Sequence, residues 1–436
     1  MNITVQTVTK TSCSSAKRVV NVLLLSLLPL SSFALDTELH GFVDGRVGTR
    51  TRNDPYEDQR SLTELRAQLD SLTYFDASEL QFRADFLYDD LEDDLEKIDL
   101  QTGDGFIDLR ELNLLFSPLS SMDVKVGRQI LTWGTGDLLF INDLFPKDWN
   151  SFLLGRDEEY LKAPSDAIYA SWFPSVGSFD LAYMPRMDAD RYIDGTRVSY
   201  WNPARQSIAG QNAVIDAEQR DELFQDHEIS ARFYRPILSY EGALYAYHGF
   251  WKSPEGYDPA LMKNYFPGLN SYGASVQGAL GSGLVNAEAG YYDSREDRAG
   301  TNPFVPNSQA RFLAGYEREA AKNLMAGVQY YVEWMMDHDD YLAGLPTTDT
   351  ARDEFRHVLT LRLTWMLMNQ NLILGLFTFY SPSDNDAYLR PAATYKFTDH
   401  WSATVNGNWF IGENDHTFFG QFRYNSNVNL AIRYSF

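Results

Sequence analysis

Past residue 34 the chain has no cysteine, and no apolar run approaches the roughly 18 residues that a membrane helix needs. The single Cys13 precedes the apolar core of the leader, whereas a lipoprotein cysteine follows it. Lipid anchoring, disulfides and thiol chemistry are therefore not expected of the remainder. Basic charge is also short. The 37 Lys+Arg stand against 60 Asp+Glu, a formal net charge of -23, which argues against a nucleic-acid partner. The histidines (His40, His227, His248, His338, His357, His400, His416) form no HExxH or i, i+4 metal pair, and no cofactor motif or nucleophile context occurs. Aromatics, by contrast, are plentiful at 14 %.

Residues 1–34 read as a secretory signal peptide. Lys10, Lys17 and Arg18 precede the apolar core "VVNVLLLSLLPL", and Ser32 and Ala34 provide small residues for cleavage. An exported, acidic, aromatic-rich chain without membrane helices points to a β-barrel of an outer membrane.

Period-2 alternation supports that class. Leu80, Phe82, Ala84, Phe86 and Tyr88 alternate with Glu79, Gln81, Arg83 and Asp85; Trp401, Ala403, Val405 and Trp409 alternate with Ser402, Thr404, Asn406 and Asn408. The pattern predicts strands near 37–51, 62–71, 78–88, 105–116, 122–130, 166–173, 178–185, 228–235 and 239–250. It continues near 271–280, 284–293, 309–318, 322–334, 355–367, 370–380, 386–397, 400–411 and from 417 to the end. Short and long connections alternate between them, as periplasmic turns and outer loops do in bacterial barrels. The expected fold is all-β, one transmembrane antiparallel β-barrel domain over 35–436. It has about 18 strands, with 16 to 20 compatible. The tail "FGQFRYNSNVNLAIRYSF" is expected to form one strand, with Asn425, Asn427 and Asn429 turned to water. Splitting it at "NSN" would make the strand count odd.

Several segments are candidates for function. "GDGFIDLREL" has an EF-hand-like spacing but lacks carboxylates at Leu100 and Thr102, so it reads as a strand approached through a glycine turn. Arg110 and Glu111 are adjacent there and predict a bulge. The acidic run at residues 89–99 reads as a solvated outer loop or a weak divalent-cation site.

The segment "VGRQILTWGTGDLLFINDLFPKDWNSFLLGRDEEYLKAPSDA" is too long for a turn and too apolar for a freely solvated loop. By its position after the fifth strand it resembles the pore-narrowing loop of general porins. Its Gly127, Arg128, Gln129, Trp133, Gly134 and Asp137 resemble a motif of porin-like families similar to alginate-export and OprD-type channels. That resemblance implies that residues 131–165 constrict a pore, with Arg128, Asp137, Asp143, Arg156 and Asp157 as constriction candidates. A structural cap over the barrel is the alternative.

Alternation also turns Arg46, Arg66, Arg83, Arg232, Arg311, Arg362, Arg390, Arg423 and Arg433 inward, along with Asp44, Glu64, Asp70 and Asp85. They form either a salt-bridge lattice or opposed charged rows that select solutes. The leading expectation is an outer-membrane, porin-like channel for passive, charge-influenced diffusion of small hydrophilic solutes. The rivals are an interaction barrel with a blocked lumen and acidic loops, an exporter of anionic polysaccharide, and, least favoured, an outer-membrane hydrolase. Expected partners are outer-membrane lipid and lipopolysaccharide. The assembly machinery would be engaged through the last strand, whose Tyr434 and terminal Phe436 resemble the barrel-assembly signature.

Overall fold

The computed structural model describes residues 36–91, 97–346 and 350–436. The leader and the centre of the acidic run lie outside them. The strands begin with β1 (Asp36–Arg50), β2 (Arg60–Phe75), β3 (Ser78–Asp89), β4 (Ile107–Leu119), β5 (Met122–Gln129) and β6 (Ser165–Trp172). Next come β7 (Ser178–Met184), β8 (Glu228–Ile237), β9 (Tyr240–Phe250), β10 (Gly268–Leu280), β11 (Gly283–Ser294) and β12 (Gln309–Ala321). The last are β13 (Leu324–Met335), β14 (Phe355–Leu367), β15 (Leu372–Ser381), β16 (Asp386–Lys396), β17 (Trp401–Gly412) and β18 (Asn427–Ser435).

Each strand pairs antiparallel with its sequence neighbours, and β18 returns to β1 in register from Phe42↔Ser435 to Arg50↔Asn427. Lipid offers backbone groups no partner, so a sheet spanning it must close in this way. The wall follows the alternation. Val43 and Val47 are 40 % and 54 % exposed on the outer surface, while Asp44 and Arg46 between them are buried inside. The expected bulge is present: Arg83 pairs with Glu111 and Ala84 with Leu109, so Arg110 is the extra residue.

The tail departs from expectation. Residues Gly420–Asn425 form a turn of 3-10 helix, and the last strand starts only at Asn427. Phe419 and Phe422 face inward, against Phe379 (centroids 5.3 Å apart) and Phe410 (5.7 Å) respectively. Asn425, Asn427 and Asn429 are buried in hydrogen bonds: Asn408 donates to the Asn427 side-chain oxygen at 2.8 Å, as does Asn429. Phe422 serves an internal core, so its even position imitates a lipid face without being one. Other aromatics join this core, among them Phe152, Tyr388, Phe377, Phe410 and Tyr292.

Candidate functional site

Residues 130–164 leave the end of β5 and turn into the barrel. Gly127 lies near the end of β5, paired with Asn113 and Ala167. Its φ is +123°, and a Cβ there would lie 2.3 Å from the Leu112 carbonyl, so this backbone requires glycine. Arg128 follows, donating to the Leu109 carbonyl at 2.6 Å and pairing with Asp166 at 3.1 Å. Buried Gln129 donates to the Ala167 carbonyl at 3.0 Å. Trp133 packs edge-on against Phe145, their centroids 5.0 Å apart.

The loop then crosses to the far wall. The backbone N–H groups of Thr135 and Gly136 both donate to Glu288 on β11. Asp137 receives the Arg362 guanidinium through two hydrogen bonds, at 2.5 and 2.7 Å. Tyr292 donates to the Ile141 carbonyl, and Asn142 donates to Glu288 at 3.0 Å.

A short helix, α1 (Trp149–Leu154), carries the chain across to the closing strands. Asp148 caps its first turn by accepting from the Ser151 N–H at 2.7 Å. Phe152 packs edge-on against Tyr388, with the Arg390 guanidinium 4.0 Å over its ring. The Gly155 carbonyl at its end accepts from Arg46 (2.8 Å) and Asn406 (3.1 Å). Beyond it, Arg156 pairs with Glu64 at 2.7 Å, Asp157 joins Arg46 and Arg433, and Glu158 joins Arg362 at 2.9 Å. The return path passes Tyr160, which lies 4.0 Å beneath Arg66.

The loop thus leaves two chambers. The outer one, about 700 Å³, is lined by Arg66, Arg128, Arg191 and Arg197 among many carboxylates, including Asp89, Asp108, Asp148 and Asp188. The inner one, about 350 Å³, lies toward the short-turn end. Among the described residues its charged lining is five guanidiniums (Arg46, Arg156, Arg362, Arg390, Arg433) against three carboxylates (Asp44, Asp157, Glu158). Arg156 lines both chambers, so it stands where they meet.

Outside the strands, Asp188 lines the outer chamber as a carboxylate pushed above its ordinary range. Burial, with Asp166 and Glu228 nearby, raises it to about 7, partly opposed by Lys252 and by the Asp166 N–H. Lys252 pairs with Glu228 at 2.6 Å and donates to the Asp188 carbonyl at 3.0 Å.

The structure brings Arg46, Asp157, Arg156 and Arg362 together at the inner chamber, with Arg66 and Arg128 on the outer one. The other candidates lie elsewhere. Arg83 is held by Asp70 and Glu111, Arg232 by Asp180 and Arg311 by Glu333. Asp143 is buried against Lys147 at 3.0 Å. Arg423 sits in the 3-10 turn, paired with Asp415, and not on a strand face. Tyr434 is on the outer surface beside Trp401, and the terminal Phe436 exchanges backbone hydrogen bonds with Gly41 at 3.0 and 3.1 Å. Glu158 and Arg191 were missed. Glu158 belongs to the "RDEE" run, whose adjacent acids give no clue to which one meets an arginine. Arg191 lies in an outer loop without periodicity.

No protein-family description and no curated protein sequence matches the chain. Solved structures do. OccD3 (OpdP) of Pseudomonas aeruginosa aligns over 92 % of this chain and 91 % of its own, at 10 % identity and a TM-score of 0.52. OpdO of the same organism aligns over 92 % and 97 %, at 10 % identity and a TM-score of 0.54. OccAB3 of Acinetobacter baumannii aligns over 92 % and 99 %, at 12 % identity and a TM-score of 0.54. These are OprD-type outer-membrane porins, and the likeness shows a shared fold, an 18-strand closed barrel.

Proposed function

We propose that the protein is an outer-membrane channel for passive diffusion of small hydrophilic solutes, selective by charge at the inner chamber. The observation that carries this reading is Arg156, the side chain common to both chambers. It is held by Glu64 on the wall, in a lumen crossed by a loop that carboxylate–guanidinium pairs fasten. Opposed charges at a constriction create a transverse field that sorts solutes. The excess of guanidiniums in the inner chamber favours anions, although the whole chain is acidic. The chambers suit small solutes better than a polysaccharide chain. Replacing Arg156 by Ala should raise single-channel conductance in planar bilayers by on the order of twofold. Unchanged conductance would remove Arg156 from the path.

The blocked-lumen reading also has a specific observation behind it. Phe152, Leu153, Leu154 and Leu161 of the loop join a buried apolar core with Tyr388, Phe410 and Tyr292 of the wall. A purified, folded protein that gives no discrete current steps would favour that reading.

A further inference from the structure

On the outer surface, across the outer ends of β9, β10 and β11, three polar residues stand side by side where an apolar band would continue. His248 pairs with Asn270, and Asn270 pairs with Asp293. Two arginines from the loop after β11 reach back to the ends of this row. Arg295 contacts the His248 Nε2 at 3.5 Å, and the His248 Nδ1 lies 2.8 Å from the Asn270 Oδ1. Asn270 donates to Asp293 at 3.0 Å, and Arg298 donates to both oxygens of that carboxylate at 2.8 and 2.9 Å. The result is one hydrogen-bonded chain with a guanidinium at each end and a single carboxylate within it.

That chain is electrostatically unfinished. Asp293 is saturated by Arg298 and Asn270, whereas Arg295 forms no ion pair with any described carboxylate; its Nη2 donates to the Gly249 carbonyl at 2.6 Å, and its buried Nε has no hydrogen-bond partner. Arg220, which is beside Asp226 (3.9 Å) and Glu296 (4.0 Å), lies over the same Phe250 ring as Arg295, 5.0 and 5.6 Å from its centroid. Two residue pairs closer to the middle of the barrel, on the same face, Tyr272 and Tyr291 stand exposed at 53 % and 40 %, the arrangement that marks a membrane interface. A guanidinium without a carboxylate partner, beside two exposed tyrosines, can recognise a phosphate through charge-assisted hydrogen bonds.

We propose that this patch is a binding site for the phosphorylated headgroup of an outer-leaflet lipid, with Arg295 as the phosphate ligand, Arg298 neutralising Asp293 beside it, and the two tyrosines against the acyl boundary. The proposal rests on the outer-membrane placement but not on the channel reading, because the patch faces away from the lumen.

The test is native mass spectrometry of the detergent-solubilised protein with bis-phosphorylated lipid A, and with the same lipid dephosphorylated. The wild-type protein should retain the phosphorylated form at least about tenfold better, the discrimination of one good charge-assisted contact. The double variant Arg295→Gln, Arg298→Gln should lose that preference. Its folding is checked by heat-modifiable gel mobility, and its bilayer conductance should be unchanged. Equal retention of both lipids by the wild-type protein would overturn the proposal without any variant. So would a folded double variant that keeps the preference.

Discussion

Asp188 and Lys252 show what single charges do here. With its folded-state value raised to about 7, Asp188 keeps its proton in the native state up to about pH 7, well above the unfolded carboxylate range. Its protonation therefore supports the folded loop fully below about pH 4, and the support is lost as pH rises through the folded value. Asp188→Asn should flatten the pH dependence of loop opening, read by hydrogen exchange in residues 185–191, between about pH 4 and 7; an unchanged dependence would assign it to another group. Lys252 is the cation placed against Glu228 and the Asp188 backbone. Lys252→Met leaves that carboxylate buried and uncompensated, at a cost of about 3–5 kcal/mol. The loss should be larger at pH 8 than at pH 6, measured by chemical unfolding in micelles. Neither residue was legible in the sequence as special, because burial of a loop charge depends on what folds over it. Arg46 and Arg362 were legible: strand parity alone turns them inward. Arg423 was misread because the same parity runs on into a segment that is not a strand.

Among elements, the strands were readable because each buries one face in lipid, which imposes a period of two. The loop at 130–164 was readable by a different signal, its excess of apolar residues over any turn's need. Its path was not, since Asp137, Asp157 and Glu158 find partners far away in sequence. The tail shows where periodicity stops discriminating. Phe422 seeks an interior core and Leu430 seeks lipid, yet both occupy even positions. The closing strand itself depends on its last residue. Phe436 completes the backbone pairing with Gly41, and a Cβ on Gly41 would lie 2.4 Å from the Gln68 carbonyl of the neighbouring strand and 2.6 Å from the Phe436 ring. Deleting Phe436 should slow refolding into micelles, seen as a smaller heat-modifiable fraction at fixed time, and Gly41→Val should do the same. Wild-type refolding of both variants would show that closure needs only the register from Phe42 inward.

For the whole molecule, closure of 18 strands makes a lumen wide enough for water, and a single loop then fills its middle with a fastened apolar and ionic layer. The chain is acidic overall, yet its inner chamber carries more guanidiniums than carboxylates. That local reversal of sign can be read from the reversal potential of single channels under a potassium chloride gradient, for the wild-type protein and for Arg362→Glu. Discrete current steps with a reversal potential on the anion-selective side are expected, moving toward cation selectivity in the variant. A cation-selective wild-type channel, or a reversal potential indifferent to Arg362, would contradict that expectation.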